Sequence, residues 1–285
     1  MLGVIRLLHA YNQKVIETPT YKEIWEYEKP IQLKKETLNE EPKEYREELA
    51  WLYEEEEKDT KRDYDELAAY EQYDSLKRKQ KHYRNMRFTI ARLIDTNFDK
   101  QTKFLTLTFK ENIHEIAYTN NEFNKFIKRL NYHIHHTKKA LLKYIATWEK
   151  QKRGAIHYHI ILFSFPYIPQ NTLATIWGNG FIKINKIDVD SVENRGRYVS
   201  KYFDKDLDLK EHKQKAFFKS QNLKLPIENK LLTNTPYDVG TQKVLYSNEY
   251  ILRIPVFFPD VDENGATDWN IEFSESVVKY TKIKK

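Results

Sequence analysis

The stretch from Leu142 to Phe165 constrains this chain most. Leu142 to Glu149 and Ala155 to Phe165 read as strands, and Lys150 to Gly154 between them reads as a tight turn. A turn that short joins its two strands antiparallel. Met86 to Ile94 and Phe104 to Phe109 (FLTLTF), rich in Thr, Ile and Phe, predict two more strands. From Asn121 the apolar positions Phe123, Phe126, Ile127, Leu130 and Ile134 step by three and four, the spacing of a core-facing helix. Asn171 to Trp177 predicts a short helix and Phe181 to Ile187 a strand. Asp190 to Asp206 predicts a helix carrying Tyr198, Lys201 and Tyr202. Strands and helices mix without regular βαβ alternation, so residues 86–235 are expected to form an α+β domain, an antiparallel sheet flanked by helices.

Two flanks remain. Residues 1–85 predict a charged helical extension: Tyr45, Leu49, Leu52 and Tyr53 recur at helical spacing, as do Tyr64, Leu67 and Ala68. Residues 236–285 predict a small appendage, with strands at Tyr250 to Phe258 and Asn270 to Phe273 around the turn Asp262-Glu263-Asn264-Gly265. The extension carries 16 Lys and Arg against 20 Asp and Glu, while residues 86–285 carry 32 against 22. A basic region beside an acidic one suits a polyanion-binding domain, although such swings also occur on ordinary solvated surfaces. With 40% hydrophobic and 14% aromatic residues the chain has the apolar content of a folded protein. It has no cysteine, which excludes disulfides and thiolate-held zinc or iron–sulfur centres, so any metal must sit on His, Asp or Glu. The longest apolar run, around Ile160 to Tyr167, is far short of a membrane span, and the first residues lack a signal-peptide pattern. A cytoplasmic protein without a membrane partner is expected.

The residues that carry chemistry lie in the hairpin. Side chains two apart on a strand face the same way, so His157 and His159 project together while Ile156, Tyr158 and Ile160 point to the other face. A five-residue loop over Lys150 to Gly154 would pair residue 147 with His157 and put Glu149 on the histidines' face, diagonal to His157. Two imidazoles and a carboxylate on adjacent strands could form an open three-ligand site for Mn²⁺ or Mg²⁺. A strand histidine is ordinarily a surface or hydrogen-bonded core residue, and for this trio both readings stand. A second group is Tyr198-Val199-Ser200-Lys201-Tyr202-Phe203-Asp204-Lys205. On a helix Tyr198 and Tyr202 share a face, with Lys201 and Lys205 equally spaced beside them. An aromatic core stripe with snorkelling lysines would look similar, but a lysine beside a tyrosine also stabilises phenolate, the form in which tyrosine is a nucleophile.

HxH on a strand followed some forty residues later by YxxKYxxK resembles the HUH endonucleases, and among them the rolling-circle replication initiators of plasmids and small single-stranded DNA phages. FLTLTF at 104–109 is similar to that family's first motif, and Phe217 to Pro226 (FFKSQNLKLP) resembles a segment seen after its tyrosine motif. The resemblance covers roughly 86–230. It implies an HUH, RRM-like nicking domain with a divalent metal ion on His157, His159 and Glu149. It also implies attack by tyrosine on a scissile phosphate of origin DNA, single-stranded or supercoiled duplex, giving a 5′-phosphotyrosine link and a free 3′-OH for a host polymerase and helicase. In that scheme Tyr202 makes the first cut, Tyr198 acts in termination, and Lys201 and Lys205 neutralise charge. The acidic extension departs from the pattern, and no GxxxxGK nucleotide loop of a fused helicase is present.

Other readings compete. A non-catalytic single-strand nucleic-acid binder would share the basic, aromatic sheet but leave the histidines, Glu149 and paired tyrosines unexplained. A transposase of the same superfamily shares HxH then Tyr but tends to be shorter and to use one tyrosine. A hydrolytic metal phosphodiesterase would want more carboxylates. His133, His135 and His136 resemble a ligand cluster, but the first two fall on different faces of a helix. Trp177-Gly178-Asn179-Gly180 reads as a turn rather than a phosphate loop.

Overall fold

The computed structural model describes residues 10–32, 85–151, 154–187, 217–261 and 267–285. In chain order the elements are β1 (Ala10–Glu17), β2 (Tyr21–Gln32), helix α1 (residues 85–97), β3 (Lys103–Phe109), α2 (Ile116–His135), β4 (Lys143–Lys150), β5 (Ile156–Phe163), α3 (Gln170–Trp177), β6 (Gly180–Lys186), β7 (Phe218–Lys219), β8 (Ile227–Leu231), β9 (Val244–Val261) and β10 (Thr267–Lys284). The strands form two five-stranded sheets, ordered β6-β3-β5-β4-β7 and β8-β1-β2-β10-β9. All their pairings are antiparallel. The α+β class with antiparallel pairing is therefore as expected.

The first sheet is covered on both faces. On one, Leu105, Leu107 and Phe109 of β3, Trp148 of β4 and Tyr158, Ile160 and Leu162 of β5 pack under Phe123, Phe126 and Leu130 of α2 and Leu173 and Trp177 of α3. Each large side chain so buried stabilises by roughly 1.5–3 kcal/mol. Trp177 also donates its indole N–H to the Thr108 carbonyl at 3.1 Å, satisfying the one polar atom it takes inside. Gly180 starts β6 because a Cβ there would stand 2.4 Å from the Thr108 carbonyl oxygen. On the opposite face Ile90, Leu93 and Ile94 of α1 pack against Ile145, Ile161 and Phe163.

Met86 to Ile94, expected as a strand, is thus part of a helix. The buried residues Ile90, Leu93, Ile94 and Asn97 follow the i, i+3, i+4, i+7 pattern, while Phe88 is 47% exposed. That period outweighs the local content of β-branched and aromatic residues.

The second sheet joins the two ends of the described chain. β1 pairs with β2 and β8, and β2 with β10. The helical expectation for residues 1–85 fails over 10–32, which are strands. Along β2, Tyr21, Glu23, Trp25 and Tyr27 alternate with Lys22, Ile24 and Glu26, a period of two. The helical spacings at 45–68 and the turn at 262–265 lie outside the described residues. The C-terminal strands are longer than expected, 18 residues each, and pair with one another along nearly their whole length.

Helix α1 lies between the sheets. Its Arg92 donates to the Glu23 carboxylate at 2.5 Å and stands 5.4 Å from the Trp25 ring, and Asp95 accepts from the Thr20 hydroxyl at 2.9 Å. No described helix is long and apolar enough to cross a membrane.

Candidate functional site

Halfway along β5 one face of the first sheet changes character. Ile161 and Phe163 sit under α1, but His159 and His157, next in the same row, are imidazoles only 9% and 8% exposed. The register builds a polar patch around them. His157 lies between Thr108 of β3 and Glu149 of β4, and His159 between Thr106 and Thr147. The alternation in FLTLTF serves both sides of the sheet: Leu105, Leu107 and Phe109 enter the core, while Phe104, Thr106 and Thr108 face the histidines.

The hairpin register differs from the expected one by two residues. Glu149 is directly opposite His157, not diagonal to it, and Thr147, expected opposite His157, pairs with His159. The strands run one pair further than expected, to Lys150 and Ile156, so the loop is Gln151–Ala155. It is closed by hydrogen bonds from the Gln151 N–H to the Ala155 carbonyl at 2.9 Å and from the Gly154 N–H to the Gln151 carbonyl at 2.7 Å. Gly154 has φ +87°, and a Cβ on it would lie 2.4 Å from the His114 ring, so glycine is required there twice over. An even shift keeps every side chain on its face, so Glu149 still shares the face of both histidines.

Glu149 Oε1 is 2.9 Å from His159 Nε2. The other ring nitrogen of His159 is 3.3 Å from the Thr106 hydroxyl, and Phe104 stacks on the ring at 5.5 Å, so the imidazole is held on two sides. Thr106 and Phe104 do not stand out in the sequence; the FLTLTF alternation and the pairing of β3 with β5 reveal them. The rings of His157 and His159 are 6.5 Å apart at 65°. Among the described residues no three His, Asp or Glu donors already converge as a metal cluster. The donor set nevertheless fits a hard cation in part. Right-angled bonds of about 2.1 Å put neighbouring donors about 3.0 Å apart, close to the His159–Glu149 spacing, and His157 is the adjacent donor on that face.

Tyr158, between the histidines in sequence, points into the core. Its ring stacks on Phe123 at 4.6 Å and 6°, and its hydroxyl donates to Asn120 at 2.6 Å. Burial pushes its pKa well above the usual tyrosine value, so this phenol stays neutral and is no nucleophile. Tyr198, Lys201, Tyr202 and Lys205 lie outside the described residues. His133 and His135 end α2 and His136 caps it in the left-handed conformation, all three exposed.

No curated protein and no solved structure matches the chain. Residues 102–207, which run from the start of β3 past the last of the four tyrosine and lysine positions, match the model of a family of replication-associated proteins typified by ORF2, so this part of the chain is similar to that family.

Proposed function

We propose that this chain is a rolling-circle replication initiator, a sequence-specific single-strand DNA endonuclease and ligase that works through tyrosine and a divalent metal ion. The observation that carries the reading is the placing of Glu149 and His159 within 2.9 Å, with His157 on the same face, inside a segment similar to a replication-associated family. His157, His159 and Glu149 would hold Mn²⁺ or Mg²⁺. The bound ion would supply Lewis-acid polarisation and a fixed position for the scissile phosphate. Thr106, on the far nitrogen of His159, orients that ligand. The Tyr202 oxygen forms a bond to phosphorus as the bond from phosphorus to the 3′ oxygen breaks. The phenol proton leaves to solvent and the 3′ oxygen takes one up, giving a 5′-phosphotyrosine and a free 3′-OH. One phosphoester replaces another, so a second transfer through Tyr198 can close the displaced strand. Lys201 and Lys205 offset charge on phenolate and phosphate. Origin DNA is the substrate, and a host polymerase and helicase would extend the 3′ end.

The test is incubation with supercoiled and single-stranded candidate origin DNA plus Mn²⁺, read on denaturing gels for a covalent adduct. His157→Ala with His159→Ala is expected to abolish nicking while leaving most DNA binding, since lysine and arginine contacts to phosphate dominate affinity. Tyr202→Phe is expected to remove the adduct, and Tyr198→Phe to nick without joining. Undiminished nicking by the histidine double variant in EDTA overturns the metal assignment; nicking with neither tyrosine modified overturns the tyrosine mechanism.

A further inference from the structure

The second sheet lies almost wholly outside the family match, and its two faces differ sharply. Alternation along β2, β9 and β10 brings Tyr21, Trp25, Tyr27, Tyr246, Tyr250 and Tyr280 to one face. The same rows of the other face present no aromatic side chain from these strands. Charge follows the same division. The aromatic face has Lys14, Lys230, Lys282 and Lys284 against Glu23 and Glu228, with Arg92 of α1 added at its edge. Across the same rows the other face has Glu17, Glu26 and Glu249 against Lys22 and Lys279.

The rings form a continuous surface. Trp25 is 5.0 Å from Tyr280, which is 5.9 Å from Tyr246, a row that crosses β2, β10 and β9. Lys14 stands 5.4 Å over Trp25, and Lys230 stands 5.3 Å over Tyr11, which meets Tyr27 edge-on at 5.6 Å. An aromatic sheet face is ordinarily a core, but α1 reaches this one only at its Tyr21–Trp25 end, through Arg92 and Asp95. Beyond that contact Tyr246 is 54% and Tyr250 42% exposed. Flat rings flanked by ammonium groups on an open sheet match the chemistry of a single-stranded nucleic acid: bases stack on the rings while phosphates meet the lysines. A duplex hides its base faces and could use only the charges. This face and the face bearing His157 and His159 both turn toward α1, which packs between them.

We propose that the aromatic, basic face of the second sheet binds single-stranded DNA without regard to sequence, as a platform separate from the histidine site. The experiment measures fluorescence anisotropy of a labelled oligo(dT) with the full chain, in EDTA so that no strand is cut, over a series of salt concentrations. Tyr246→Ala with Tyr250→Ala, both exposed, is expected to weaken binding about tenfold or more, since a stacked base is worth ~1–3 kcal/mol, and to leave the salt slope unchanged. Lys14→Gln with Lys230→Gln is expected to weaken binding and to flatten the slope of log K against log salt by about 1.4, near 0.7 per phosphate contact on a single strand. His157→Ala with His159→Ala is expected to bind oligo(dT) like the unaltered chain, so this outcome and the nicking assay are read independently. If both face variants keep their circular dichroism and bind with unchanged affinity and slope, the platform is overturned, whatever the chain does to an origin. It is equally overturned if the tyrosine variant loses only self-association in sedimentation, since the face would then serve a second copy of the chain.

Discussion

The two sheets have the same strand number and the same antiparallel pairing, yet they use their faces differently. In the first sheet every residue of β5 is buried, because α2 and α3 cover one face and α1 part of the other. Polar residues inside such a sheet are the exception, which is what makes Thr106, Thr147, Glu149, His157 and His159 conspicuous. In the second sheet one face is left largely to solvent, lysines and tyrosine rings, and its small core of Val15, Ile24 and Ile283 with Tyr237 and Val239 lies on the other. A polar group is informative in the first sheet and an aromatic one in the second, each because it goes against its surroundings.

Stability measurements can break that contrast. Trp177→Ala removes a fully buried ring that packs edge-on to Phe109 at 4.9 Å and Phe126 at 5.6 Å, and leaves the Thr108 carbonyl without its donor. A loss of about 4 kcal/mol in urea titration is expected. Tyr246→Ala in the open face is expected to change stability by no more than about 0.5 kcal/mol. Similar losses at the two positions would show that the second face is covered after all.

The link between the sheets comes next in size. Arg92→Ala leaves the Glu23 carboxylate, whose side chain is 5% exposed, with only the Tyr280 hydroxyl donating to it at 2.7 Å. Removing one partner of so buried a pair is expected to cost about 3 kcal/mol. Hydrogen exchange is expected to report the loss mainly at Tyr21–Tyr27 of β2, less at Ile156–Phe163 of β5. Equal loss of protection in both strands would mean that the sheets unfold as one unit.

The first sheet is the more legible from sequence, for reasons that lie in particular residues. Its β4–β5 hairpin, α2, α3 and β6 are local, and the periods of 2 and 3.6 expose them. His157, His159 and Glu149 fall on one face even under the wrong register, because an error of two preserves parity. The end of the loop is hard to read because Lys150 still pairs with Ile156, a detail fixed by the left-handed turn at Gly154. Thr106 and Phe104 are hidden because their roles depend on which strand lies beside β5. The second sheet is hidden by separation: Ile16 pairs with Glu228 and Ile24 with Thr281, and nothing in a local window connects them. In sequence its aromatic face is split between an extension and an appendage, and only the strand pairing joins them.

The smallest effect sharpens the comparison at the edge of the second sheet. Glu17, at the end of β1, accepts a hydrogen bond from the Lys285 ammonium and pairs with Lys22 at 3.7 Å. The Lys285 bond leads, burial opposes it, and Lys22 adds to it; together they hold the Glu17 carboxyl below the usual glutamate range. A lowered folded-state pKa means that the pair stabilises above the ordinary value of about 4.3 and that this contribution fades as pH falls through the lowered one. The side chain is 23% exposed, so solvent screens the pair and its worth at pH 7 is about 0.5 kcal/mol at most. Glu17→Gln is therefore expected to melt about 1–2 °C below the unaltered chain at pH 7, a difference that shrinks toward zero near pH 3. The check is a series of melting curves of the two chains from pH 7 to pH 3 at low salt. A difference that grows on acidification would reverse the sign and show that this edge is held by something other than the carboxylate's charge.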